Sequence, residues 1–401
     1  MGQKLSIDNL IKKCQRFISF PGESGQEKEA AAYLKEVMKE LGFDRVWIDD
    51  WGNTIGVIEG QGTEKILLQG HMDTVGVENQ ELWSVNPYGG VIKDGKLYGR
   101  GTSDMRTAIM TMAFAAASFI PCKEDLQGDI IVAGTVHEEI FEGVAQGKVV
   151  DQVDPDLVII GEATNLNLAI GQRGRAEIQV TTYGKSAHSA NPQEGVNAVK
   201  QMMKFLAEVE QLELPVDDFL GEAILELTDI HSRPYPGRSV VPEECLATFD
   251  RRLLVGESEE SVLAPLEEIS DNLSKRDKTF KAEVKLVEAE VDCYTGNTLA
   301  SKRFFPAWKY SQEDSFVKEA YQALQDSGLK SQISHYSFCT DGSQSAGIRQ
   351  IPTIGFGPSV EKLAHVVDEY VELTELEGAY RGYVAILKKF LAEDSNYEDL
   401  D

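Results

Sequence analysis

The sequence predicts an α/β protein interrupted by an inserted α+β domain, and three observations predict it. Short runs of branched apolar residues recur between amphipathic helices, as the buried strands of an open sheet do. Near Gln172 the texture changes to half-exposed alternation in the order β-α-β-β-α-β, the ferredoxin-like arrangement, and beyond Asp292 the first pattern resumes. A chain of 401 residues is also long for a single core. The expected division is one domain of residues 1–173 and 293–401, holding an inserted domain of residues 174–292.

Residues 6–20 carry Leu10, Ile11, Cys14, Phe17 and Ile18 at helical spacing. A second helix is expected from Ser24, where Ser24-Gly-Gln-Glu27 has the capping-box pattern, to Gly42. Residues 46–48 and 54–58 read as a hairpin. Ile66, Leu67 and Leu68 read as a strand buried on both faces, which runs through Gly70 into His71 and Asp73. Residues 97–101 lead to Asp104 and an apolar helix from Met105 to about Phe119. Residues 130–136 form a buried strand ending in His137-Glu138-Glu139, and 157–160 another ending in Gly161-Glu162.

In the inserted part, strands are expected at 175–183, 223–230, 245–254 and 280–291, with helices at 195–212 and 259–273. Residues 312–328 then resume the first domain as a helix, followed by strands at 333–338 and 351–356. His365 follows the glycine-rich loop Gly355-Phe-Gly-Pro-Ser359, and a last helix runs from about Leu373 to Leu391. The acidic, apolar-poor tail, 393–401, is expected to be disordered.

There are 39 basic against 66 acidic residues, a net charge of −27, which argues strongly against nucleic acid or an anionic membrane surface as a partner. Cys14, Cys122, Cys245, Cys293 and Cys339 are scattered and include no Cys-x-x-Cys, so neither a disulfide framework nor a thiolate zinc site is implied. No apolar signal core follows Met1 and no run is long enough to span a membrane, so the expected location is the cytoplasm.

The chemistry lies where strands end. His71 and Asp73, Asp104, Glu138 and Glu139, Glu162 and His365 each follow a short strand or turn, and in open α/β sheets ligands bind outside the carboxyl ends of the strands. If the backbone stays extended past Gly70, His71 and Asp73 share a face, and Asp73 can hold the tautomer of a ligating His71. Each residue has a plainer reading: Asp104 as a helix cap, Glu138-Glu139 as a solvated pair, His365 as a loop histidine. Two acids closing so apolar a strand are nevertheless unfavourable unless they meet a cation or water. Two histidines and several carboxylates without a thiolate suit zinc, with cobalt or manganese as alternatives.

Gly70-His-Met-Asp73, Gly99-Arg-Gly-Thr-Ser-Asp104, Glu138-Glu139, Gly161-Glu162 and His365, in that order and spacing, resemble the M20 metallopeptidase family, which includes acetylornithine deacetylase, succinyl-diaminopimelate desuccinylase and aminoacylase-1. The resemblance, which runs from about Ser6 to Leu391, implies a mixed-sheet di-zinc peptidase domain with helices on both faces. The inserted domain would be its lid and homodimerisation domain. By position, His71 and Glu162 would hold one metal, Glu139 and His365 the other, and Asp104 both. Asp73 would orient His71, and Glu138 would be the general base acting on a metal-activated water. Gly184-Lys-Ser-Ala-His188-Ser resembles the segment whose histidine reaches a partner's active site, and Asp250-Arg-Arg252 a strand whose arginine, taken as Arg252, meets a substrate carboxylate. His137, Thr107 and Arg238-Ser239 depart from the family's usual residues. His137-Glu-Glu-Ile-Phe-Glu-Gly143 and Asp250-Arg-Arg-Leu253 also resemble a branch labelled selenium-metabolism-linked hydrolases.

The expected activity is hydrolysis of an amide bond in a small N-acyl amino acid or related metabolite. A dipeptidase or carboxypeptidase with the same machinery is the alternative. A non-catalytic metal-holding module stands third, because such a module has no need of Glu138 as a base.

Overall fold

The apolar residues of 66–68 sit in the middle of a mixed sheet, in the strand Glu64–His71. The computed structural model describes residues 5–392, so the tail at 393–401 lies outside the described residues. Two compact units are present: Met1–Gln172 with Glu290–Ala300 and Trp308–Asp401, and Arg173–Ala289 with Ser301–Ala307.

In the first unit the sheet order is Arg45–Ile48, Thr54–Ile58, Gly128–Thr135, Glu64–His71, Leu157–Ile160, Thr353–Gly355, Leu168–Gln172 and Trp308–Lys309, with Ile333–Tyr336 pairing alongside Leu168–Gln172. The four central strands, Gly128–Thr135, Glu64–His71, Leu157–Ile160 and Thr353–Gly355, run parallel. His71 stands opposite Thr135, Gln69 opposite Ile160, and Gly355 also opposite Ile160. Their carboxyl ends are therefore level, and the segments that follow them leave from one edge.

Side chains alternate across these strands and use both faces. Leu67, Ile131, Ala133, Val158 and Ile160 pack with Val149, Val150 and Val153 of the helix Val144–Val153. On the other face Gly70 and Gly161 lie against Met105, Ile109 and Met112. The last two belong to the helix Arg106–Ala117, which is buried along its whole length, as a helix apolar all round must be.

Several local expectations give way to other contacts. Ser24 and Glu27 do not form a capping box: the helix begins at Lys28, the Ser24 hydroxyl donates to Asp73, and Glu27 accepts from the amides of Gly25 and His137. Glu138-Glu139 is not the end of an extended strand, because the strand stops at Thr135 and the pair opens a 3-10 turn. Asp104 caps no helix: Met105 holds the cap position and no side chain caps the helix. Residues 280–291 divide into two strands, Ala282–Leu286 and Glu288–Asp292.

The second unit is built on a five-stranded antiparallel sheet whose main path, Ile224–Arg233, Glu244–Leu253, Gly174–Tyr183, Ala282–Leu286, has the ferredoxin-like order. Its core joins Ile178, Val180, Ala247 and Phe249 to Met202 and Phe205 of one helix, Ala198–Val209, and Leu266 and Leu273 of the other, Glu259–Arg276. Phe304 and Phe305 pair with the Gly174–Tyr183 strand, which is why Ser301–Ala307 belongs with this unit and not, as the sequence reading has it, with the first. The five cysteines are buried and in no disulfide, and no helix among the described residues is long and apolar enough to cross a membrane.

Candidate metal centre

The segments that leave the four level strand ends supply His71, Glu138 and Glu139, Glu162 and His365, and the loop after Lys96–Tyr98, a strand of a separate small sheet, supplies Asp104. His71 is buried at the end of its strand, and its Nδ1 lies 3.0 Å from the Asp73 carbonyl oxygen. A carbonyl can only accept, so Nδ1 donates there, and Nε2 is the nitrogen left to face a cation. In the metal-free chain burial opposes a proton on Nε2, but the surrounding carboxylates outweigh it and hold His71 well above its ordinary range. That Nε2 faces Asp104 Oδ1 at 2.8 Å, Glu162 Oε1 at 3.3 Å and Glu138 Oε2 at 3.9 Å. His365, which has a positive φ of 61°, presents its Nε2 to Asp104 Oδ2 at 3.0 Å and Glu139 Oε2 at 2.8 Å. One carboxylate thus offers one oxygen to each imidazole. Ligand atoms of His71, Glu138 and Glu162, and of His71, Asp104 and Glu139, lie within 4.8 Å of one another in each group.

Asp73 acts chiefly through the turn beside it. Its carboxylate lies 3.6 Å from His71 Nδ1 but accepts from the amides of Glu138 and Glu139, both at 3.1 Å, and from the Ser24 hydroxyl at 2.7 Å. Those amides fix the 3-10 turn, so the two adjacent glutamates diverge: Glu139 toward His365 and Glu138 toward His71.

The electrostatics fit a cation. Burial, then the charge of Asp104, pushes Glu139 and Glu162 up to about 7. Burial holds Glu138 well above its ordinary range, with His71 opposing. Asp104 is driven below the usual carboxylate range: burial opposes this, and hydrogen bonds from His365 and His71 outweigh it. His365 is raised to about 10 by Asp104 and Glu139. Four carboxylates gathered in so little water are unfavourable without positive charge. Two imidazole nitrogens among carboxylates, with no thiolate, suit zinc, cobalt or manganese.

The remaining expected residues lie in the second unit. His188 is exposed, and its Nδ1 accepts the Ala190 amide at 3.0 Å, so its Nε2 carries the proton when the ring is neutral. Arg252 Nε lies 2.7 Å from Asp250 Oδ1, and Arg175 Nε 2.7 Å from Asp250 Oδ2. Arg251, on the other side of the strand, is buried against Glu257 at 2.5 Å.

Three buried charged residues around the centre had no reading in the sequence. Asp341 accepts from Gln69, from Thr135 at 2.9 Å and from the Gly143 amide at 2.7 Å. Arg106 donates to main-chain carbonyls only: Met72 at 2.6 Å, Phe20 at 2.5 Å, Phe17 at 3.3 Å and Gly22 at 3.4 Å. Glu369 accepts from Arg100 and from the Ser103 and Asp104 amides. The one sequence signal was an arginine, Arg106, at the start of a largely apolar helix.

The sequence pattern of peptidase family M20/M25/M40 matches residues 67–389. The uncharacterized protein YgeY of Escherichia coli (strain K12) is 32% identical over 395 residues, covering 96% of this chain and 95% of that protein. A succinyl-diaminopimelate desuccinylase of Pelagibacter ubique (strain HTCC1062) is 27% identical over 403 residues, covering 95% and 99%. Among solved structures, the aminopeptidase PepT of Bacillus cereus ATCC 10987 shares the fold with a TM-score of 0.75 at 20% identity, covering 96% of this chain and 99% of that one. With the family pattern matched over residues 67–389, a 32% identical relative over 96% of the chain and a candidate ligand set gathered in one place, the chain belongs to peptidase family M20/M25/M40 and is a metal-dependent hydrolase.

Proposed function

We propose that this protein hydrolyses the amide bond of a small N-acyl amino acid or related metabolite, using two divalent ions, zinc in the first place and cobalt or manganese as substitutes. The observation that carries the reading is Asp104, whose two oxygens face His71 and His365 separately. His71 and Glu162 would hold one ion, Glu139 and His365 the other, and Asp104 both. When bound, the ions supply a water of lowered pKa and polarise the substrate carbonyl.

The protein's own residues do the rest. Glu138, beside the ligands without being needed by either set, takes the proton of the attacking water and delivers it to the leaving amine. Asp73 holds the turn that carries Glu138 and keeps the His71 ring in place. His188, with its proton on Nε2, is a donor for the oxyanion that develops on the substrate, supplied from a second copy in a homodimer formed through the second unit. Arg252 would hold a substrate carboxylate, sharing its fork with Asp250. The substrate is a small molecule. A net charge of −27 speaks against nucleic acid and membrane partners and suits a cytoplasmic enzyme.

The name of the Pelagibacter relative supports a deacylase over a dipeptidase. Purified protein, reconstituted with zinc, is offered N-succinyl, N-acetyl and N-formyl amino acids beside dipeptides. Turnover of the acylated series, abolished by a chelator and restored by metal, is expected. Cleavage of dipeptides alone would make the enzyme a dipeptidase, and no turnover on either series would remove the amidohydrolase reading.

A further inference from the structure

Glu369 is buried, and its carboxylate serves the loop that delivers Asp104. Oε1 accepts the Ser103 amide at 2.7 Å and the Asp104 amide at 3.1 Å, while Oε2 accepts Arg100 Nη1 at 2.6 Å. The main chain joins the same loop: the Gly99 amide donates to the Glu369 carbonyl at 2.9 Å, and Tyr370–Glu372 pairs antiparallel with Lys96–Tyr98. Ser103 Oγ also lies 2.8 Å from Ser359 Oγ, in the loop that follows the Thr353–Gly355 strand. No side chain caps the helix after Asp104, so the position of the Asp104 carboxylate depends on its loop. Asp104 is the one ligand facing both histidines, at 2.8 and 3.0 Å.

We propose that Glu369 is a positioning residue for Asp104: it grips the Ser103 and Asp104 amides with one oxygen and Arg100 with the other, and so aims both Asp104 oxygens at once. The inference rests on the two-ion reading given above. It makes a demand that a mere fold pin would not: losing Glu369 must weaken both ions together, whereas losing Glu139 or Glu162 weakens the ion each one holds. Three donors converge on this carboxylate. A glutamine would turn an NH2 group either toward the two amides or toward the guanidinium, donor against donor. Charge-assisted bonds of this kind outside the ligand set set the aim of a metal ligand, and losing one typically weakens metal affinity about 10–100-fold.

The test is a calorimetric titration of chelator-treated full-length protein with zinc, repeated with cobalt to read its visible absorption, for wild type, Glu369→Gln, Arg100→Met, Glu139→Ala and Glu162→Ala. Melting temperatures of the metal-free proteins are measured beside them. Glu369→Gln should weaken both binding steps by about tenfold or more, and the two alanine variants one step each. Wild-type affinity in both steps of Glu369→Gln, whatever its melting temperature, overturns the proposal, and so does a loss confined to one step. Should Glu369→Gln fail to fold, Arg100→Met, which leaves the amides their acceptor but frees Oε2, decides: weakening of both steps supports the proposal and wild-type affinity overturns it. A wild-type protein that takes up fewer than two ions removes the two-ion reading itself. One that takes up two while the variants match it removes only the role of Glu369.

Discussion

Glu138 and Glu139 are consecutive in one 3-10 turn, yet one carboxylate faces His71 and the other His365. That divergence separates their expected phenotypes. Glu138→Ala should keep both metals and lose activity by about 10²–10⁴-fold, the range of general acid–base catalysis. Glu139→Ala should lose metal first, and elemental analysis beside kcat measures the difference. The reverse pattern would exchange the two roles. These acids were legible in the sequence because each ends a run of apolar residues, where an unpaired charge is unfavourable. Asp341 and Glu369 were not, because their partners include main-chain amides from distant segments, and any residue type supplies an amide. The expectation that the Asp73 carboxylate itself holds His71 assumed extended backbone at 71–73; in the structure the Asp73 carbonyl makes that hydrogen bond.

The segment between the Thr353–Gly355 strand and His365 shows how closely the elements of the centre are packed. A Cβ on Gly357 would lie 2.3 Å from the Gly161 carbonyl oxygen and 2.4 Å from that of Glu162, and main chain cannot swing aside as a flexible side chain can. Gly357→Ala should therefore move Glu162, destabilise the protein by about 1–3 kcal/mol as overpacking does, and weaken the ion that Glu162 is proposed to hold. A denaturation midpoint and a metal titration at wild-type values would sink this. The proposed role of His188, in the exposed loop of the second unit, is tested by its own substitution. His188→Ala should lower kcat by about 10²–10³-fold with KM nearly unchanged, as the loss of one oxyanion donor does. Mixing it with Glu138→Ala chains should restore activity if the proposed homodimer forms, since one site of the mixed dimer would then have both groups. A dead mixture whose subunits demonstrably exchange would place His188 outside the partner's chemistry. The capping-box pattern at Ser24 misled for a related reason: a hydroxyl that could cap a helix is used instead by Asp73, a partner 49 residues away.

The two units differ in what holds them together, and the sequence showed most of this division, since helical and alternating periodicities change near Gln172. It could not show that Phe304 and Phe305 return to the second unit's sheet, because a strand of two residues has no periodicity to read. Both units have cores of aliphatic and aromatic side chains, but the first also carries buried carboxylates that need a cation or protons. Removing the metal should therefore destabilise the first unit and leave the second's unfolding unchanged. The pH dependence follows in sign. Glu139 and Glu162 are raised from about 4.5 to about 7 in the folded, metal-free chain, so the folded state binds more protons than the unfolded. The stability those protons confer is complete below about pH 4.5 and lost as the pH rises through about 7. His365, raised from 6.5 to about 10, acts in the same direction: its contribution is complete below about 6.5 and lost as the pH rises through about 10. A chelator should thus lower the first unit's melting temperature more at about pH 8 than at about pH 6, and metal binding should release protons. Calorimetry at both pH values, with hydrogen exchange assigning each transition to a unit, measures this. Equal depression at the two values, or a loss shared by the second unit, would mean that the buried acids are not what the cation stabilises.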